Sequence, residues 1–164
     1  MRSLIVYYSR TGTTGKLASA LAEALGADVH QIRCAQYRPG VLRYLRAGYD
    51  SVKGNLPAIQ APSIDAAHYD LLVLGAPVWT SYPALPLRAY LAGKPTVPPR
   101  VGVFFTYGGH SPAQTAFDGV AEALGQPLAA ALALKAEALS RSTVETAIAP
   151  FVRQLKSNGA NPGA

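Results

Sequence analysis

A chain of 164 residues has room for one domain with a sizeable core and little more. Hydrophobic residues make up 49% and charged residues 15%, a balance that excludes an intrinsically disordered chain. The net charge of +6 favours anionic ligands or surfaces, but the basic residues are spread out and no basic run carries interleaved aromatics, so nucleic-acid binding is not expected.

The first predicted element is "LIVYY", residues 4 to 8, a continuous apolar run that reads as a strand buried on both faces. No charged-then-apolar leader precedes it, and no apolar run approaches the roughly 18–20 residues that span a membrane, so the expected address is the cytoplasm. Residues 14 to 25 follow as a helix, with Leu17, Leu21 and Leu25 at helical spacing and Gly26 as its cap. "DVHQIR", 28 to 33, alternates apolar and polar and reads as a strand near the sheet edge.

Cys34 is the single cysteine, so no internal disulfide forms, and it reads as a buried small hydrophobe. The Cys-x5-Arg loop of a tyrosine phosphatase is missing, because Gly40 stands where the arginine belongs. His30, His68 and His110 lie far apart and lack cysteine partners, which argues against a metal site. Residues 38 to 53 then predict an amphipathic helix. Val41, Leu42, Leu45, Tyr49 and Val52 share one face, and Arg38, Arg43, Arg46 and Lys53 lie mostly on a basic outer side. The Pro-containing segment up to Asp70 reads as loop.

"YDLLVLGAP", 69 to 77, is the strongest strand signal. Pro86 fits the first turn of a helix over 86 to 92. "RVGVFFTYGG", 100 to 109, is another buried strand, followed by a helix over 111 to 124 carrying Phe117, Val120 and Leu124. The first half of "PLAAALALKAEAL", 127 to 139, is expected to be a strand. Ser140 or Ser142 caps a final helix with Val144, Ile148, Phe151, Val152 and Leu155, and Pro150 predicts a kink or break in it. One domain covering 1 to 157 is expected, with residues 158 to 164 as a disordered tail.

Five alternations of strand and helix predict an α/β three-layer sandwich around a five-stranded parallel sheet. The fitting strand order is 2-1-3-4-5. In such a sheet the ligand site lies at the carboxyl ends of strands one, three and four. Those loops read "SRTGTTG", "APVWTSYP" and "TYGGHSP", each rich in glycine, hydroxyls or aromatics. The first suits a phosphate: helix N-terminal amides point outward, the helix dipole favours an anion, and four hydroxyls exceed what one cap needs. The Walker A pattern and the three-glycine dinucleotide fingerprint are both absent. An acidic cluster after the first strand, as in a response regulator, is absent too.

The stretch "IVYYSRTGTTGKLASAL", Ile5 to Leu21, resembles the FMN-phosphate signature of flavodoxin-like proteins, with Ser9, Gly12, Thr14, Ala18 and Leu21 at the family's spacing. The resemblance extends to the other two loops and the element order. It implies a flavodoxin-like fold with FMN as cofactor. It also implies that Ser9, Thr11, Gly12, Thr13 and Thr14, with the backbone of Arg10, hold the phosphate. Pro77, Val78, Trp79 and Thr80 would flank one side of the isoalloxazine, and Thr106, Tyr107, Gly108 and Gly109 the other. A flavin is a flat π-surface on which Trp79 or Tyr107 can stack. Core packing is the alternative role for Trp79 and loop packing for Tyr107, and His110 either positions a substrate, donates a proton or is incidental.

Two functions follow from that resemblance. One is a one-electron carrier serving redox protein partners. The other is an oxidoreductase taking hydride from NAD(P)H and reducing a quinone or similar acceptor; a flavodoxin-like protoporphyrinogen oxidase is a further variant. The positive charge, the lack of a glycine after Pro77, and the segment 38 to 53 with Tyr37, Tyr44 and Tyr49 nearby favour the oxidoreductase, while the first expected role of that helix is the second crossover, packed on the sheet. No side chain is expected to serve as an obligatory acid or base. A homodimer is left open.

Overall fold

The computed structural model describes residues 1–37, 39–109 and 113–157. The elements, in chain order, are β1 (Ser3–Tyr7), α1 (Thr13–Leu25), β2 (Asp28–Gln31), α2 (Val41–Lys53), β3 (Leu71–Trp79), β4 (Tyr82–Pro83), α3 (Leu85–Ala92), β5 (Val101–Tyr107), α4 (Gln114–Leu124), β6 (Ala130–Lys135) and α5 (Arg141–Ser157). The sheet runs β2-β1-β3-β5-β6, all parallel, which over the five parallel strands is the order 2-1-3-4-5. The expected five-stranded sheet gains a sixth strand. β3 continues two residues past Pro77 and folds back as an antiparallel hairpin, pairing Val78 with Pro83 and Trp79 with Tyr82. Arg38, His110 and the tail 158–164 lie outside the described residues, as do residues 111 and 112 at the start of the expected fourth helix.

Side chains alternate across the strands, so β1 and β3 feed two cores. Ile5, Val73 and Phe104 face one layer, where Leu17 and Leu21 of α1 meet Phe151 and Leu155 of α5. Leu4, Val6, Leu72, Leu74, Val103 and Phe105 face the other, against Leu87 and Leu91 of α3 and Ala116 and Val120 of α4. This is the predicted three-layer sandwich. β2 is the edge strand, as its alternation indicated, and Cys34 is a free buried cysteine.

Two expectations are corrected. The final helix does not break at Pro150; the proline is exposed, so water can satisfy the carbonyl its missing N–H leaves unpaired. Ser140 caps that helix, its Oγ accepting from the Thr143 amide at 3.2 Å. The second correction concerns α2. Its apolar side chains do not pack on the sheet. Val41 and Leu42 are 78% and 82% exposed, and Tyr44, Leu45, Tyr49 and Val52 also stand in solvent. The inward side is Ala47, Asp50 and Ser51 instead.

At the sheet centre, Gly75 of β3 lies directly beneath the Phe104 ring. A Cβ there would sit 2.0 Å from a ring carbon whose side chain is fully buried. Gly75→Ala is therefore expected to cost about 1–3 kcal/mol or more of stability, since neither partner can move aside. Urea denaturation would read the loss, and a variant as stable as the wild type would contradict this packing.

Candidate functional site

The carboxyl ends of β1, β3 and β5 reach the same edge of the sheet and open into a cavity of about 1080 Å3. Arg10, Thr11, Thr13 and Thr14 from the first loop line it. Pro77, Val78, Trp79 and Thr80 contribute from the second, and Thr106, Tyr107, Gly108 and Gly109 from the third. Ser9 and Gly12 belong to the first loop but do not line this cavity; the Gly12 amide donates to Ser9 Oγ at 3.1 Å. The structure thus brings the three expected loops together.

The first loop has the chemistry of an anion cradle. Gly12 is the N-cap of α1, at φ 92°, and no side chain caps the helix. The first-turn amides therefore keep their hydrogen-bonding capacity, and the positive end of the helix dipole points into the loop. Thr11 and Thr13 hydroxyls lie 3.3 Å apart at its rim. Arg10 places its guanidinium 5.1 Å from the Tyr44 ring centroid, so the loop's only cation also braces α2.

Thr14 plays a more structural part than its position in the motif implied. It is 2% exposed, and its Oγ1 lies 2.7 Å from Thr106 Oγ1, itself buried, in a hydroxyl pair that ties the first loop to the third. Each hydroxyl has one proton and two acceptor positions, so the pair keeps one proton free for a further acceptor.

The second loop is a two-residue hairpin turn. Thr80 and Ser81 both adopt left-handed backbone, at φ 50° and 69°. This geometry matches strand twist, but it normally selects glycine or asparagine and is strained for a β-branched residue. Ser51 of α2 holds it in place. The Ser51 hydroxyl donates to the Trp79 carbonyl at 3.1 Å and lies 2.7 Å from Thr80 Oγ1. Trp79 is half-buried and meets Tyr8 and Tyr37 edge-on, with centroids 5.8 and 5.4 Å apart. It therefore serves both as core packing and as cavity wall.

The third wall is α2, whose Tyr44, Leu45, Tyr49, Val52 and Lys53 line the cavity. What fixes this helix is a buried carboxylate. Asp50, with a side chain 8% exposed, accepts from Tyr37 Oη at 2.8 Å, Gln36 Nε2 at 3.1 Å and Asn55 Nδ2 at 3.2 Å, with Arg46 Nε 3.5 Å away. Burial works to raise its pKa, but the Tyr37, Asn55 and Gln36 hydrogen bonds and the Arg46 charge outweigh it and hold the carboxyl below its ordinary range. Tyr37 is fully buried rather than part of the open aromatic surface expected of it, and burial with the Asp50 contact pushes its phenol far up. Tyr8 is driven up in the same way, chiefly by burial.

The flavodoxin family model matches residues 2–118, which include all three loops and α2. The chain belongs to the flavodoxin family. No curated protein matches it. Among solved structures, a Lactobacillus acidophilus flavoprotein in complex with FMN is 24% identical, covering 90% of this chain and 98% of its own, at a TM-score of 0.69. A WrbA-like flavodoxin from Agrobacterium tumefaciens is 17% identical, with 98% and 99% covered and a TM-score of 0.66. A Fusobacterium nucleatum flavodoxin bound to FMN is 13% identical, with 96% and 99% covered and a TM-score of 0.61. At these identities the likeness is one of fold.

For a flavodoxin-family chain, the residues present fit the FMN that the sequence resemblance implies. The uncapped α1 N-terminus and loop hydroxyls match a phosphate, and the space between Trp79, Tyr107 and α2 is wide enough and aromatic enough for a flat ring system. Sequence reasoning missed Asp50 and Ser51 as the anchors of the third wall. The available signal was Asp50 itself, the one acid in α2.

Because the Asp50 pKa is lowered on folding, its stabilising contribution is complete above the unfolded carboxylate range, near about pH 4, and fades as pH falls through the lower folded value. Asp50→Asn is expected to cost about 1–3 kcal/mol at neutral pH. The gap to wild type should narrow below about pH 4. Thermal unfolding across that range would test this, and a gap independent of pH would contradict the anchor.

Proposed function

We propose that this chain holds FMN in the three-loop cavity and passes electrons from NAD(P)H to a quinone or similar small acceptor. The observation that carries the reading is the joining of an uncapped helix N-terminus, two flanking aromatic loops and a third apolar wall in one cavity of about 1080 Å3. Ser9, Thr11, Gly12, Thr13 and Thr14, with the Arg10 backbone, would hold the phosphate. Pro77 to Thr80 and Thr106 to Gly109 would flank the ring. Bound there, FMN supplies the redox chemistry, and the protein supplies binding, orientation and electrostatics.

The chain's own contributions follow from the lining. Gly108 and Gly109 are exposed and lack side chains, so their amides are accessible to a ring edge that gains charge on reduction. Tyr44, Tyr49 and Tyr107 give a flat acceptor aromatic surface beside that ring. Arg10 and Lys53 set a positive rim suited to the phosphates of a nicotinamide donor. Among the described lining residues there is no carboxylate and no histidine. The Thr80–Ser81 turn, already left-handed and pinned by Ser51, has little freedom to reorganise between redox states. That rigidity supports paired-electron transfer over single-electron carriage.

FMN titration of the purified chain, followed by anaerobic NADH or NADPH and then a soluble benzoquinone, tests the proposal. Bleaching by the nicotinamide and recovery with the quinone are expected. Failure to bind FMN overturns the whole reading, whereas binding with no response to either nicotinamide assigns the chain to protein-to-protein carriage.

Thr14→Val removes one member of the buried hydroxyl pair at nearly constant volume. It is expected to lower stability by about 1–2 kcal/mol and FMN affinity about tenfold. Denaturation and fluorescence titration read the two effects separately, and unchanged affinity would remove Thr14 from the cradle.

A further inference from the structure

The apolar stripe of α2 has no counterpart in the core. Val41, Leu42, Tyr44, Leu45, Tyr49 and Val52 are between 61% and 82% exposed on one helix; Tyr44, Leu45, Tyr49 and Val52 stand at the cavity wall, and Val41 and Leu42 carry the stripe beyond it. Soluble monomers rarely present such a patch without an occupant. Arg43, Arg46 and Lys53 are exposed alongside it. The only acid of the helix, Asp50, is turned inward and buried, so no carboxylate of α2 faces outward.

We infer that this face of α2 docks the protein on an anionic lipid surface, lying in the plane of the interface. A short helix with an apolar face, a basic flank and no outward acid is the pattern that binds bilayer surfaces. Tyr44 and Tyr49 have apolar rings with polar tips, which suits headgroup depth. Arginine and lysine beside the stripe add attraction to anionic headgroups. A second copy is a poorer occupant than an anionic surface, because two chains of net charge +6 repel one another. No described helix is long and apolar enough to cross a membrane, so the attachment is peripheral. Docking in this way turns the cavity mouth toward the bilayer. That a lipid-dissolved acceptor would then reach it rests on the redox reading above; the docking itself does not.

The test is co-sedimentation of the FMN-loaded full chain with vesicles of phosphatidylglycerol and phosphatidylcholine, and with phosphatidylcholine alone. Binding to the anionic vesicles, released by salt, is expected. Val41→Asp/Leu42→Asp, at positions outside the cavity lining, should weaken it more than about tenfold. Arg43→Ser should weaken it about fivefold. FMN binding by both variants should be unchanged, which separates lost docking from lost folding or a failed cofactor site. No binding by the wild type, or equal binding by the double variant, overturns the inference. A dimer that the double variant converts to monomer, with no vesicle binding, would assign the face to a second copy.

Discussion

A parallel sheet covered by helices on both sides has no solvent-facing surface of its own, and this constraint organises the molecule. The strands must be apolar throughout, as β1, β3 and β5 are, and polar chemistry is displaced to their ends. Three strand ends meet where the order reverses between β1 and β3, and the loops that leave them converge. The Thr14–Thr106 hydroxyl pair converts that convergence into a fixed geometry, since it joins two loops 92 positions apart in the chain across 2.7 Å. Gly75 enforces the same economy from below, giving its side-chain space to Phe104 so that β3 and β5 stay in register under the cavity.

Helix α2 solves a different problem. Most crossover helices attach by apolar burial; this one attaches through a satisfied carboxylate and a serine hydroxyl. Asp50 draws hydrogen bonds from Tyr37, Gln36 and Asn55, and Ser51 clasps the strained Thr80–Ser81 turn. Directional bonds of this kind fix the orientation of a helix more sharply than oily contact does, and they leave its apolar side chains available for the cavity wall.

The strands and the three converging loops were legible in the sequence because each rests on local patterns: apolar runs, and glycines, prolines and hydroxyls where the strands end. Strand order followed from the alternation together with right-handed crossovers and the flavodoxin-like order that five strands fit. The β4 hairpin was not legible, because Thr80-Ser81 lacks the asparagine or glycine that marks a two-residue turn. The orientation of α2 was misread for a related reason. Periodicity identifies an apolar face but does not say whether that face meets core or solvent, and the inward anchors are polar partners distant in sequence, such as Tyr37 and Trp79. Pro150 was read as a kink or break because sequence does not show that its turn faces water.

The thin polar attachment of α2 also sets a hierarchy of motion. Its inward apolar content is little more than Ala47, whereas each sheet strand is packed on both sides. Regions with few buried apolar contacts open at low free energy while the rest stays native. Amide hydrogens of α2 should therefore exchange with solvent well before those of β1, β3 and β5, whose strands are held on both faces.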